Sequence, residues 1–257
     1  MIDITVNLDK FKEAVEAIWL KGKYKSSTVS KIDSINNLGV IFLYNDNTIT
    51  LANANDTIAA SVTLRVYTQV VVDEEKMMIF DIEKLNKYLK VFKSDRINIR
   101  ITDAMLSLSN DDQTARMQMS IEHSNLNAIL KIQQFSVPSE GMPTFGKTLL
   151  DTKISIQGTE LAKAIKHCNI VGTATFKFDY NGTHLKVSSS NFHQTEHFDC
   201  FVPMVSHEGE PSTVEFSAPL DKFCQDGVMF LYLKDDKPVL LIGPNRKLVV
   251  APYIRAN

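Results

Sequence analysis

Ile2-Asp3-Ile4-Thr5-Val6-Asn7-Leu8-Asp9-Lys10-Phe11-Lys12-Glu13-Ala14-Val15-Glu16-Ala17-Ile18-Trp19 changes its period partway along. Ile2, Ile4 and Val6 alternate with polar residues, as a half-buried strand requires. From Leu8 the apolar residues Leu8, Phe11, Val15, Ile18 and Trp19 fall three or four apart, the stripe of a helix packed on one face. Asn7 or Asp9 can cap it. The same switch returns at Thr152. Ile154 and Ile156 alternate, Thr159 stands where an N-cap belongs, and Leu161, Ala164, Ile165 and Cys168 share a helical face. At an offset of 150 residues Ile4 matches Ile154, Val6 matches Ile156, Phe11 matches Leu161 and Val15 matches Ile165. Strand then amphipathic helix occurs twice.

A second unit also repeats. Met77–Phe80 reads as a strand, and Asp81 caps a helix over 82–93 with Leu85, Tyr88, Leu89 and Phe92 inward. Strands at 97–101 and 105–108 follow. In the second half, Val214–Phe216 leads to a short helix over 218–225, with Pro219 tolerable only in its first turn. Strands at 228–233 and 239–242 flank a Lys234–Lys237 turn. Asn181-Gly182 between alternating segments predicts a hairpin of type I′. Residues 40–43 and 49–51 predict another. Residues 117–121 and 126–132 are expected to pair as strands, and 249–254 to join a neighbour. Residues 133–147 hold Pro138, Gly141, Pro143 and Gly146 and read as a connector, packed down by Phe135, Val137, Met142 and Phe145. The division is therefore 1–132, 133–147 and 148–257, in an α+β fold with helices on one side of antiparallel sheets.

Charge is distributed unevenly. The segments 8–25, 82–93, 159–167 and 218–225 hold twelve lysines against six acids, leaving 16 basic and 24 acidic residues elsewhere. Lys84, Lys87 and Lys90 recur every three residues, and Lys163 and Lys166 repeat the spacing. Lysine is a flexible point charge suited to phosphate contact without sequence reading. Solvated helix lysines occur in any soluble protein; their coincidence with a duplicated plan favours a nucleic-acid surface.

Little here suggests catalysis, membrane insertion or a disulfide framework. No phosphate-binding glycine loop, nucleophile elbow or paired Cys-x-x-Cys occurs. His193, His197 and Cys200 lack helical spacing and a fourth metal ligand, and read as surface histidines and a core cysteine. Cys168 reads as core, and Trp19 as a core or interface anchor. Asp111-Asp112 and Asp235-Asp236 read as turn residues. The three cysteines are far apart, which fits a reducing compartment. No apolar run spans a membrane and no signal peptide is evident. The expectation is an intracellular protein of a prokaryotic cell or infected host, or of the nucleus if eukaryotic, with no cofactor.

Three stretches resemble the sliding-clamp family of proliferating cell nuclear antigen and its archaeal and phage relatives. They are Phe80–Lys90 with Asp95–Ile99, Gly158–Lys166, and Pro238–Leu241 with Leu248–Ile254, whose Ala251-Pro252-Tyr253-Ile254 is similar to the family tail. The resemblance implies a processivity factor for DNA polymerase, a homotrimeric ring of two-domain subunits encircling double-stranded DNA, opened by a clamp loader. It implies DNA-facing lysines at Lys12, Lys87, Lys90, Lys163 and Lys166; the helical faces add Lys10, Lys21, Lys84 and Lys222. It further implies a pocket for clamp-binding peptides at Ile58, Met142, Pro143, Ala251, Pro252 and Tyr253. The sequence departs from the family at 23–37, which reads as an insertion, at the short 218–225 helix, and at Glu140 in the connector. These departures suggest a divergent or viral member. A subunit of a heteromeric clamp, a monomeric viral processivity subunit, and a β-rich enzyme or ligand-binding module remain alternatives.

Overall fold

The computed structural model describes residues 1–20, 38–68, 75–120, 122–135, 137, 141–171, 175–191, 195–218 and 220–253. The chain divides into two compact units: Met1–Asn55 with Ala60–Leu130, and Asp56–Ala59 with Lys131–Asn257. Lys21 and the 23–37 insertion lie outside the described residues, as do Glu140 and His193.

The first unit runs β1 (Ile2–Asn7), α1 (Leu8–Ala17), β2 (Leu38–Leu43), β3 (Thr48–Ala54), β4 (Ile58–Arg65), β5 (Lys76–Asp81), α2 (Ile82–Leu89), β6 (Arg96–Ile101), β7 (Met105–Ser109) and β8 (Thr114–Gln118). After α3 (Leu126–Gln134) and the two-residue strands β9 (Thr144–Phe145) and β10 (Thr148–Leu149), the second unit runs β11 (Thr152–Gln157), α4 (Gly158–Cys168), β12 (Thr175–Tyr180), β13 (Leu185–Ser190), β14 (His197–Val202), β15 (Met204–Gly209), β16 (Ser212–Phe216), β17 (Val228–Leu233), β18 (Val239–Gly243) and β19 (Arg246–Val250).

The repeat seen in the sequence extends to topology. In strand order, β1-β6-β7-β8 of the first unit is matched by the run β11-β17-β18-β19, with β15 added outside β11. The run β4-β3-β2-β5 is matched by β14-β13-β12-β16. Smaller details repeat as well. Past β8 the Ser120 N–H donates to the Ile79 carbonyl at 2.9 Å, and past β19 the Tyr253 N–H donates to the Glu215 carbonyl at 2.7 Å.

Period-2 alternation fixes the register. Ile2, Ile4 and Val6 of β1 sit opposite Ile101, Ile99 and Ile97 of β6, and all six are buried. A one-residue slip of β1 would turn its apolar set to solvent, at roughly 1.5–3 kcal/mol for each large side chain exposed. α1 buries Leu8, Phe11, Ala14, Val15 and Ala17 and packs against α2, which buries Ile82, Leu85, Asn86 and Leu89. Asn7, not Asp9, caps α1 through a bond from the Lys10 N–H at 2.9 Å. Asp81 caps α2 as expected, from the Lys84 N–H at 2.8 Å. Both helices are shorter than the sequence suggested, ending at Ala17 and Leu89. Asn53 Nδ2 donates to the Ile18 carbonyl at 3.0 Å, closing the end of α1.

Several expectations are corrected. Residues 126–132 are helical: Ile129 and Ile132 are buried three apart, and the Asn125 carbonyl accepts from the Ala128 and Ile129 N–H groups. A short apolar run fits either period, and here the helical hydrogen bonds decide. α3 thus runs on to Gln134, just before Phe135. There Lys247 Nζ donates to the Phe135 carbonyl at 2.5 Å, and burial lowers its pKa. The Phe135 and Phe145 rings approach to 6.0 Å.

Thr159 does not cap α4. The cap is Gln157, without a side-chain bond, and the helix starts at Gly158, whose N–H donates to the Gly227 carbonyl at 2.9 Å. Among the described residues of 218–225 there is no helix. One turn closes where the Leu220 carbonyl accepts from the Phe223 and Cys224 N–H groups. Arg246 Nη1 then takes the Phe223 carbonyl at 2.8 Å, and Gly227 follows at φ 95°. The 181–184 hairpin loop has four residues, with Tyr180 opposite Leu185. Asn181 Oδ1 accepts from the Thr183 and His184 N–H groups, and Gly182 supplies the left-handed φ of 96°, so the turn is not type I′.

Candidate nucleic-acid interface

In the first unit Lys10 lies on α1 and Lys84 and Lys87 on α2, with Lys90 at the α2 C-cap; all four are exposed. Each lies opposite a face buried by Phe11, Leu85 or Leu89, so hydrophobic packing sets their outward direction. Lys84 Nζ sits 6.0 Å from the Tyr88 ring centre. Lys87 pairs with Glu83 at 2.9 Å, one helical turn away. That hydrogen bond, and the charge of Glu83 and then Asp81, raise the Lys87 pKa against the small opposing effect of burial. Lys12 differs from the others. It is half-buried, and its ammonium donates to the Phe92 carbonyl at 3.2 Å, tying α1 to the segment that follows α2.

In the second unit Lys163 and Lys166 are exposed on α4, and Lys163 pairs with Glu160 at 2.5 Å. α4 packs its buried Leu161, Ala164, Ile165 and Cys168 towards β11, β13 and β14. Lys222 is exposed on the single turn that replaces the predicted helix.

The proposed pocket residues have mixed exposure. Ile58 and Pro143 are buried, Met142, Ala251 and Pro252 are half-buried, and Tyr253 is exposed. The Ala251 N–H donates to the Thr57 carbonyl at 2.7 Å, which sets the C-terminal tail beside Ile58. The Pro143 carbonyl accepts from the Leu150 N–H at 3.0 Å. The pair at Tyr253 and Glu215 holds the tail along β16.

The sequence reading missed two features. β8 and β14 each end a sheet, leaving one row of strand hydrogen-bonding groups without a strand partner among the described residues. An apolar surface also lies where β14 turns into β15. Phe201 is 69% exposed and Val205 57%, beside a cavity of about 460 Å³ that His184, Pro203 and Met204 help to line. The run Phe201-Val202-Pro203-Met204-Val205 was the available signal, since alternation must turn half of it outward. His197 lies on the outward face of β14, 2.6 Å from Asp199. No metal-binding cluster occurs among the described residues. No helix among them is long and apolar enough to cross a membrane.

This repeated strand order, with helices packed on antiparallel sheets, is the fold of the DNA sliding clamps. The chain aligns over 100% of its length with 100% of A. fulgidus PCNA, solved with the C-terminal region of FEN-1 bound, at 15% identity and a TM-score of 0.70. PCNA from Thermococcus kodakaraensis gives 12% identity and 0.67, covering 98% of this chain and 100% of that one. The DNA polymerase sliding clamp of Bacillus subtilis gives 12% and 0.72, covering 99% of this chain and 64% of that one. No family model matches the chain, and no curated protein sequence matches it.

Proposed function

We propose that this protein is a DNA sliding clamp, a non-catalytic processivity factor. Copies close into a ring around duplex DNA, three by the family resemblance. The observation that carries the reading is the strand order repeated in the two units, with the chain aligned end to end with an archaeal PCNA. β8 and β14 are different strands ending different sheets, so β8 of one copy against β14 of the next makes a head-to-tail contact that can close a ring. The helix lysines Lys10, Lys84, Lys87, Lys90, Lys163 and Lys166, with Lys222 on its turn, supply the phosphate-facing charge, and Lys12 braces the helices behind them. Residues 133–147 serve as the interdomain connector. Ile58, Met142, Pro143, Ala251, Pro252 and Tyr253 receive peptides from polymerase and other replication proteins, and a clamp loader opens the ring.

The test combines assembly and DNA retention. Native mass spectrometry should give a closed multimer, three chains, at micromolar concentration. Lys87→Glu with Lys163→Glu should leave that mass unchanged and lower polymerase stimulation. Each phosphate that no longer meets a lysine should reduce the salt dependence of DNA affinity by about 0.9 in log–log slope. A strict monomer, or stimulation untouched by the charge reversal, would refute the proposal.

A further inference from the structure

Cys168 ends α4 and is fully buried; Cys200 is half-buried on β14. They are 32 residues apart in sequence, yet the fold brings both to Val187 of β13. Three observations fix the approach. β14 places Cys200 directly opposite Val187 of β13. Cys168 Sγ lies 3.7 Å from the carbonyl of that same Val187. Ser189 Oγ donates to the Cys168 carbonyl at 2.7 Å, locking the end of α4 onto β13. Cys200 shares strand parity with Phe198, whose ring meets His167 of α4 at 6.3 Å, so its side chain is on the helix-facing side.

We propose that Cys168 and Cys200 form a reversible disulfide that staples the C-terminal end of α4 to strand β14. The chemistry is exchange with a small disulfide of the glutathione class. The Cys200 thiolate, the less buried of the two, attacks one sulfur of the small disulfide, forming a mixed disulfide and releasing one small thiol. The Cys168 thiolate then attacks the Cys200 sulfur and releases the second. Two protein thiols become one S–S bond, and the small disulfide takes up the two electrons and two protons as two thiols. Burial, the largest cause, pushes the Cys168 thiol up to about 11 and also raises Cys200, so exchange is slow at neutral pH and faster in alkali. Cys224 is pushed up to about 12 by burial and has no cysteine beside it among the described residues, so it stays a thiol.

The inference stands whether or not the chain forms a ring. The full chain is treated with oxidised glutathione at about pH 9, unfolded, and its remaining thiols are alkylated. The expected product carries one alkyl group, on Cys224, and a peptide joining Cys168 to Cys200. Its melting temperature rises by up to about 10 °C, because the closed loop restricts the unfolded chain. Cys224→Ser should form the same bridge, and Cys200→Ser none. Three alkylated thiols, glutathione adducts without a bridge, or cross-linking only between chains would each overturn the proposal.

Discussion

Replacing Gly158 by alanine tests the junction that sets the start of the lysine-bearing helix α4. An added Cβ would lie 1.9 Å from the Gln225 carbonyl oxygen, and 3.0 Å from both the Gln225 carbonyl carbon and Met229 Sδ. The first distance falls about 1.5 Å short of ordinary carbon–oxygen contact. The obstructing atom is backbone, so no side-chain rotation relieves it. Either α4 or the 225–227 segment must move, and the bond from the Gly158 N–H to the Gly227 carbonyl, 2.9 Å, stands in the way. Overpacking of this kind costs about 1–3 kcal/mol. Alanine regains roughly 0.5–1 kcal/mol of helix propensity, less at a first helical position. The net loss is about 1–2 kcal/mol, a fall of about 5 °C in melting temperature for a chain this size. Urea denaturation at 25 °C measures it directly. Gly227→Ala is the companion: nothing crowds its Cβ position, but its φ of 95° alone should cost about 1–2 kcal/mol. A Gly158→Ala protein as stable as the parent, or more stable, would show that α4 does not rest on the 225–227 segment.

Two further outcomes follow from the structure. The buried His123 accepts from the Asn125 N–H at Nδ1, 3.1 Å, and so donates from Nε2 to the Leu38 carbonyl at 3.0 Å. Burial lowers its pKa below 6.5, with the Leu38 carbonyl opposing. Its neutral form therefore adds stability that is complete above about pH 6.5 and lost as pH falls from there towards its folded value. Urea midpoints from pH 8 to 5 should fall more steeply for the parent than for His123→Gln; parallel curves would exclude this histidine as the cause. Met142→Ala with Tyr253→Ala should weaken binding of a polymerase tail peptide at least tenfold in calorimetry while the assembly mass is kept; unchanged affinity would remove these residues from the docking site.

The parts of the fold legible in the sequence were those where local pattern and tertiary packing agree. The switch from period 2 to period 3.6 at Asn7 and again near Gln157 is written in single residues, and the duplication appears wherever that switch recurs. α3 was misread because Leu126–Ile132 is too short to separate the two periods. The predicted helix at 218–225 failed for a long-range reason: Arg246, over twenty residues away, takes the Phe223 carbonyl that another turn would need. Gly158 outranked Thr159 at the helix start because a distant backbone approaches there. The lysine faces were legible because exposure follows periodicity. The diversion of Lys12 to the Phe92 carbonyl, and the meeting of Cys168 with Cys200, depend on tertiary approach and leave no local signature.

The lysines are held in a way that bears on how a clamp could both grip and slide. Lys87 and Lys163 already have glutamate partners at i−4 and i−3, with the lysine side chains 71% and 63% exposed. Ion pairs this exposed contribute about 0–1 kcal/mol, so a passing phosphate can replace the carboxylate and be replaced by it at little cost. The glutamates would remain nearby to recapture the ammonium as it passes from one phosphate to the next. On the proposed function, such a surface would bind DNA weakly and without register, and its hold would fall steeply with salt. Persistence on DNA would then have to come from closure of a ring rather than from affinity. At raised salt, a loaded clamp should therefore stay on a covalently closed circle and leave the same circle once it is cut. Equal loss from both would mean that the lysines, not a closed ring, hold the DNA.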